Sequence, residues 1–157
     1  MKSSCRCLST LSSCRLIVPL VVASTLATPA VAALQDPCKL VTVAEIQQIV
    51  GPLKEAPRAT DPASGEITCT YSPATGPTFV DVTLHDGDLA AWKQRNGGKN
   101  AVALPEFGNG AFATPDFQGF AEVYATKGSV ILRVSVPKGP LAVETVKAIT
   151  RKALPRL

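Results

Sequence analysis

Cys38-Lys39-Leu40-Val41-Thr42-Val43-Ala44-Glu45-Ile46-Gln47-Gln48-Ile49-Val50-Gly51, followed after a loop by Ile67-Thr68-Cys69-Thr70-Tyr71, places a capped helix and a strand each beside a cysteine. Thr42 with Glu45 three residues on is a capping box, in which each side chain accepts from the other residue's backbone N–H. Val43, Ala44, Ile46, Ile49 and Val50 gather on one helical face. Gly51 supplies the left-handed residue that ends many helices, and Pro52 forbids continuation. About two turns are marginal in water, so this helix needs a surface to lie on. In the strand, Ile67, Cys69 and Tyr71 share one face by the two-residue period. Cys69 therefore points with the apolar side chains, toward the helix.

Working outward, the N-terminal 1–32 reads as a secretory signal peptide. Lys2, Arg6 and Arg15 make a basic start, Leu16 to Val31 is largely apolar, and Ala30-Val31-Ala32 is a small-x-small cleavage site. Pro19, Ser24, Thr25, Thr28 and Pro29 make that run a poor membrane span. Leu11-Ser12-Ser13-Cys14 looks like a lipidation box, but it precedes the apolar run instead of ending it. Cleavage after Ala32 leaves 125 of the 157 residues, 33–157, as a single globular domain long enough to bury a core.

Removing the leader changes both charge and cysteine arithmetic. The whole chain carries 16 basic and 12 acidic residues, and three basic ones leave with the leader. A near-neutral mature domain gives no electrostatic case for nucleic acid. Cys5, Cys7 and Cys14 leave too, so the five cysteines become the pair Cys38 and Cys69. Export implies an oxidising compartment, in which a lone pair is expected to bond. A metal or redox pair would need closer spacing and further ligands.

Along the domain, Lys54 to Gly65 reads as an exposed loop. Ile67 to Tyr71 and Thr78 to Leu84 read as an antiparallel hairpin, with Val80, Val82 and Leu84 on one side and Phe79, Asp81 and Thr83 on the other. Asp86 or Asp88 caps a short helix through Leu89 to Arg95, ended by Asn96-Gly97-Gly98. Lys99 to Pro115 is loop-like, with short extended pieces at 101–104 and 110–114. Gly119 to Thr126 and Ser129 to Val136 form a second hairpin across Lys127-Gly128. Gly139-Pro140 opens a final helix that turns Ala142, Val146, Ile149 and Ala153 inward. The expectation is α+β: an antiparallel sheet of about five strands covered by flanking helices, with one disulfide.

Candidates for chemistry are few. His85 is the only histidine, and at a strand-to-turn junction it reads as an exposed polar residue. His85-Asp86-Gly87-Asp88 is no calcium loop, because Ala90 and Trp92 stand where further oxygens are required. Asp81 and Glu122 read as solvated sheet residues, not as an acid–base pair. Gly108-Asn109-Gly110 lacks the rest of a dinucleotide fingerprint. The expectation is thus no catalytic residue, no metal and no cofactor. Arg151, Lys152 and Arg156 suit the helix end better than a nucleic-acid patch. Phe107, Phe112, Phe117 and Phe120 cluster among glycines and proline. Phe112 and Phe120 are expected inward, and Phe107 or Phe117 on a partner-facing loop.

The opening from Asp36 to Ile46, the following Gly51, and Cys69-Thr70-Tyr71 resemble a broad family of exported, often lipid-anchored bacterial domains of unknown function. That family carries an Asp-x-Cys-x-Leu-x-Thr-x-x-Glu opening and a later Cys-x-Tyr. Phe107-Gly108-Asn109-Gly110-Ala111-Phe112 is similar to its Gly-Leu-Gly-Asp-x-Ala-Phe segment, with Asn109 departing from the pattern. The resemblance implies a Cys38–Cys69 disulfide and a helix-flanked sheet similar to the photosystem accessory protein PsbP, and it supplies no catalytic residue. The functional expectation is a periplasmic or extracellular binding or accessory domain without enzymatic activity. Its partner is another exported protein or a small ligand. The alternatives are a small secreted hydrolase with a dispersed site and an inhibitor of a secreted enzyme.

Overall fold

Thr42 begins the first helix as the sequence predicts: its hydroxyl accepts from the Glu45 N–H, and Glu45 Oε2 accepts from the Thr42 N–H at 3.0 Å. The computed structural model describes residues 34–60 and 65–157, so the expected leader 1–32 and its expected cleavage site lie outside the described residues. These residues fall within one compact unit. Helix α1 (Val43–Val50) ends at Gly51, whose φ of 87° suits a residue without Cβ. A one-turn 3-10 helix, Pro37–Lys39, leads into it.

The remaining elements are β1 (Arg58–Ala59), β2 (Glu66–Tyr71), β3 (Val80–Asp86), α2 (Leu89–Trp92), β4 (Val102–Ala103), β5 (Phe112–Phe117), β6 (Phe120–Lys127), β7 (Val130–Pro137) and α3 (Ala142–Ala153). All seven strands form one antiparallel sheet in the order β1-β2-β3-β7-β6-β5-β4. The expected count of about five is therefore corrected to seven. The short additions are β1, inside a stretch read as a loop, and β4, which falls within the extended piece expected at 101–104; two residues each are too few to show any periodicity. They close both edges with little exposed backbone, which limits edge-to-edge pairing. The irregularity between Thr114 and Phe117 spans Pro115, which cannot donate to the ladder.

One face of the sheet carries the main core. Cys69, Tyr71, Val82, Leu84, Val123, Leu132 and Val134 meet Leu40, Val41 and Ile46 from the α1 region, with Val146 and Ile149 from α3. Cys38 and Cys69 are joined, with Cα atoms 5.1 Å apart, tying the chain before α1 to the middle of β2. Tyr71 Oη donates to the Val41 carbonyl at 2.7 Å, and burial pushes its pKa up to about 12.

The C-terminus locks onto α1 through charge. Arg156 presents both guanidinium nitrogens to the Glu45 carboxylate, at 2.6 and 2.8 Å, and also donates to the Leu40 carbonyl. The Arg156 hydrogen bond, then the Thr42 N–H, holds Glu45 down from 4.5 to about 2. Stability from this carboxylate is thus full above pH 4.5 and lost as pH falls toward 2. Acid denaturation of Glu45→Gln is expected to show a flatter limb across that interval. An unchanged limb would mean that the pair contributes nothing.

Candidate functional site

Alternation along the strands builds the second face of the sheet, and the register places its side chains in rows. One row runs Thr70, Asp81, Ser135, Glu122, Thr114, and the next runs Thr68, Thr83, Arg133, Tyr124, Phe112. The threonine, serine, carboxylate and arginine members of these rows form a polar band. On one side of it Phe79 and Phe120 meet, centroids 5.7 Å apart. On the other lie His85, Trp92, Tyr124 and Phe112, with 4.2 Å between His85 and Trp92 and 4.7 Å between Phe112 and Tyr124. Helix α2 and the π-helical turn Lys93–Gly97 that continues it cover this second aromatic group. Asp88, not Asp86, caps α2, accepting from the Ala90 N–H.

Two expectations are corrected here. His85 is buried at 2% exposure, and Glu122 at 5% is not a solvated sheet residue. Both sit on strands flanked on each side, beneath neighbouring side chains that a strand-by-strand reading does not see. Glu122 Oε2 accepts from Tyr124 at 2.7 Å and from Thr114 at 3.4 Å, so it is firmly oriented. Burial, followed by the Glu122 charge, pushes the Tyr124 phenol up. Asp81 is half-buried and accepts from Thr70 at 2.7 Å. Burial raises its pKa, against the Thr70 hydrogen bond and the Arg133 charge. Arg133 Nη2 stands 3.5 Å from Glu66, while its Nε is buried without a partner. The band therefore converges two carboxylates, one guanidinium and several hydroxyls between aromatic walls. Thr83, Thr114, Glu122 and Ser135 are buried, so Asp81 and Arg133 are the charged groups of the band that a polar ligand with apolar faces could reach.

The phenylalanines distribute differently from expectation. Phe107, in the 3-10 turn Pro105–Phe107, is 5% exposed within the main core, with Arg151 over its ring at 5.6 Å. It is corrected from a loop-exposed anchor to a core residue. Phe117 is half-buried at the end of β5, beside a two-residue turn in which Gln118 adopts φ 53°. Phe112 is fully buried as expected, although on the second face under α2. Phe120, also expected inward, is half-buried beside Phe79.

An apolar groove of about 650 Å³ opens elsewhere, between Ile49 and Val50 of α1 and the segment Gly139-Pro140-Leu141. It lacks the convergent polar groups of the sheet face. Among the described residues no three His, Cys, Asp or Glu gather as a metal site, and no helix is long and apolar enough to cross a membrane.

No protein-family model matches the chain, and no curated protein matches it. Among solved structures it is similar to a GTP binding regulator from Thermotoga maritima, at 18% identity over 76% of this chain and 93% of that one, with a TM-score of 0.39. A likeness at that level carries no functional argument.

Proposed function

We propose that the chain is an exported binding or accessory domain that takes a polar ligand, free or displayed on another exported protein, on the second face of its sheet. The observation that carries the reading is the half-buried pair Asp81 and Arg133, backed by the buried Ser135 and Glu122, set between the Phe79–Phe120 pair and the Trp92–Tyr124 group. Export belongs to the same proposal, supported by the leader-like 1–32 and by a disulfide of the kind that persists in oxidising compartments. So does kinship with the exported bacterial family and with a PsbP-like sheet, supported by the Asp36-to-Ile46 opening. In this reading Phe79 and Phe120 form one wall, with Phe117 opposite Phe120 at its edge, and Phe107 holds the scaffold.

The test is capture from periplasmic extract and culture medium by the purified exported protein. Asp81→Asn removes the charge of an acceptor held above its ordinary pKa, so its melting temperature should hold or rise. Binding should fall about tenfold or more, the weight of a charged hydrogen bond at roughly 1.5–3 kcal/mol. Equal capture by wild type and Asp81→Asn would sink the assignment of the face.

One observation favours a second reading, that of a hydrolase. Asp81 and Glu122 flank Ser135 in a single row, so their Cα atoms are about 10 Å apart at roughly 4.8 Å per strand. Two carboxylates straddling a bond is the arrangement that glycoside hydrolysis uses. Reproducible turnover abolished by both Asp81→Asn and Glu122→Gln would replace the binding reading with this one.

A further inference from the structure

His85 is the only histidine and Trp92 the only tryptophan of the chain, and the fold presses their rings together. Neither His85 Nδ1 nor Nε2 makes a well-formed hydrogen bond although the side chain is buried, and the Asp86 backbone alone offers the ring a weak one. A neutral imidazole carries one donor and one acceptor, so burial leaves it poorly satisfied at a real cost in stability. Trp92 ends α2, and the π-helical turn follows directly. Single π-turns are frequent at functional sites. This segment, 89–97, lies between Gly87 at φ 152° and Gly98 at φ 48°. A Cβ on Gly87 would stand 3.4 Å from Trp92 Nε1, so the indole sits directly against the hinge backbone. The segment holds the sheet through a small apolar cluster of Leu89 and Trp92 on Phe112, Tyr124 and Ile131, and through Asn96 donating to Tyr124 Oη at 3.4 Å.

We propose that His85 is a proton-operated latch beneath this segment: protonation of its imidazole displaces Trp92 and lifts 89–97 from the cluster of Phe112 and Tyr124. The charged groups around the ring come from three elements. Glu66 is its register partner on β2, Arg133 lies on β7 and Arg95 on the π-helical turn, while Asp86 on β3 acts through its backbone. Glu66 favours the imidazolium, while Arg133 and Arg95 oppose it. Burial is the largest influence and holds the pKa below the ordinary 6.5. The closed segment thus prefers the neutral ring. Its stability is full above 6.5 and declines with falling pH, because the opened form takes up the proton first. Protonation also makes both ring nitrogens donors, with the Glu66 carboxylate at the adjacent strand position to accept from one. This inference stands on the packing of the segment and does not require the ligand reading. If both hold, acid widens the polar band.

The experiment titrates the full chain from about pH 8 to about pH 4, the range in which a histidine changes charge. It follows Trp92 emission with acrylamide quenching and the imidazole proton resonance, each signal assigned by composition. The expected result is a reversible red shift and greater quenching, with a midpoint below 6.5 that coincides with the imidazole titration. The far-UV circular dichroism should hold through it. His85→Phe retains a ring against Trp92 but takes no proton, so the transition should vanish. An imidazole that titrates while Trp92 is unmoved, a transition that persists in the variant, or collapse of the far-UV signal at the same midpoint overturns the latch. Should His85→Phe fail to fold, the two wild-type midpoints decide the matter alone.

Discussion

Phe107→Ala is expected to cost about 3–5 kcal/mol of stability, the range for truncating a buried aromatic and leaving its cavity. The ring is 5% exposed among the main core side chains, and Arg151 lies over it at 5.6 Å, so the substitution removes packing on one side and a cation–π partner on the other. Phe117→Ala makes the contrast. That ring is half-buried at the outer end of β5, where neighbouring side chains can close over a smaller residue. Its cost should be at most half as large. Chemical denaturation of the two variants checks the pair. Equal losses would place Phe117 in the core as well, and a small loss at Phe107 would contradict its burial.

Replacing both cysteines with serine is the second large effect. The Cys38–Cys69 bond closes a loop with a sequence separation of 31. On the chain-entropy account such a closure stabilises by roughly 3–4 kcal/mol, less any strain in the folded state. The bond anchors the 3-10 turn before α1 to the centre of β2, so its loss should loosen α1 first. Non-reducing mass spectrometry should find one linked peptide pair and no free thiol in the domain. The double variant should melt lower while keeping its sheet. Two titratable thiols in the native protein would contradict the bond.

The candidate site was legible only in fragments. Thr83 and His85 share parity on β3, as do Arg133 and Ser135 on β7, and each pattern is visible strand by strand. Nothing local states that β3 pairs with β7, which lie far apart in the chain yet adjoin in the sheet. Without that pairing Asp81 and Glu122 look like separate surface residues, and His85 looks like the polar end of a hairpin. The spacing of Leu89 and Trp92 was a usable signal for α2 lying apolar side down. Which surface it lies on follows only from the aromatic cluster it covers.

Local chemistry determined the start and stop of α1, both long hairpins, the inward stripe of α3 and the pairing of Cys38 with Cys69, whereas α3 starts at Ala142, past the Pro140 expected at its first position. Each rests on interactions between residues close in sequence, or on a two-member choice: Thr42 with Glu45, Gly51, the alternation of Val80, Val82 and Leu84, and the turn at Gly128. The tertiary structure alone decided the strand order, the pairing of the two short edge strands, the burial of Phe107 and the joining of Arg156 to Glu45. It also decided the tilted packing of the sole histidine against the sole tryptophan. These depend on where the second face of the sheet finds its cover. That is settled by the total apolar surface buried when distant segments meet, a quantity no single stretch of sequence contains.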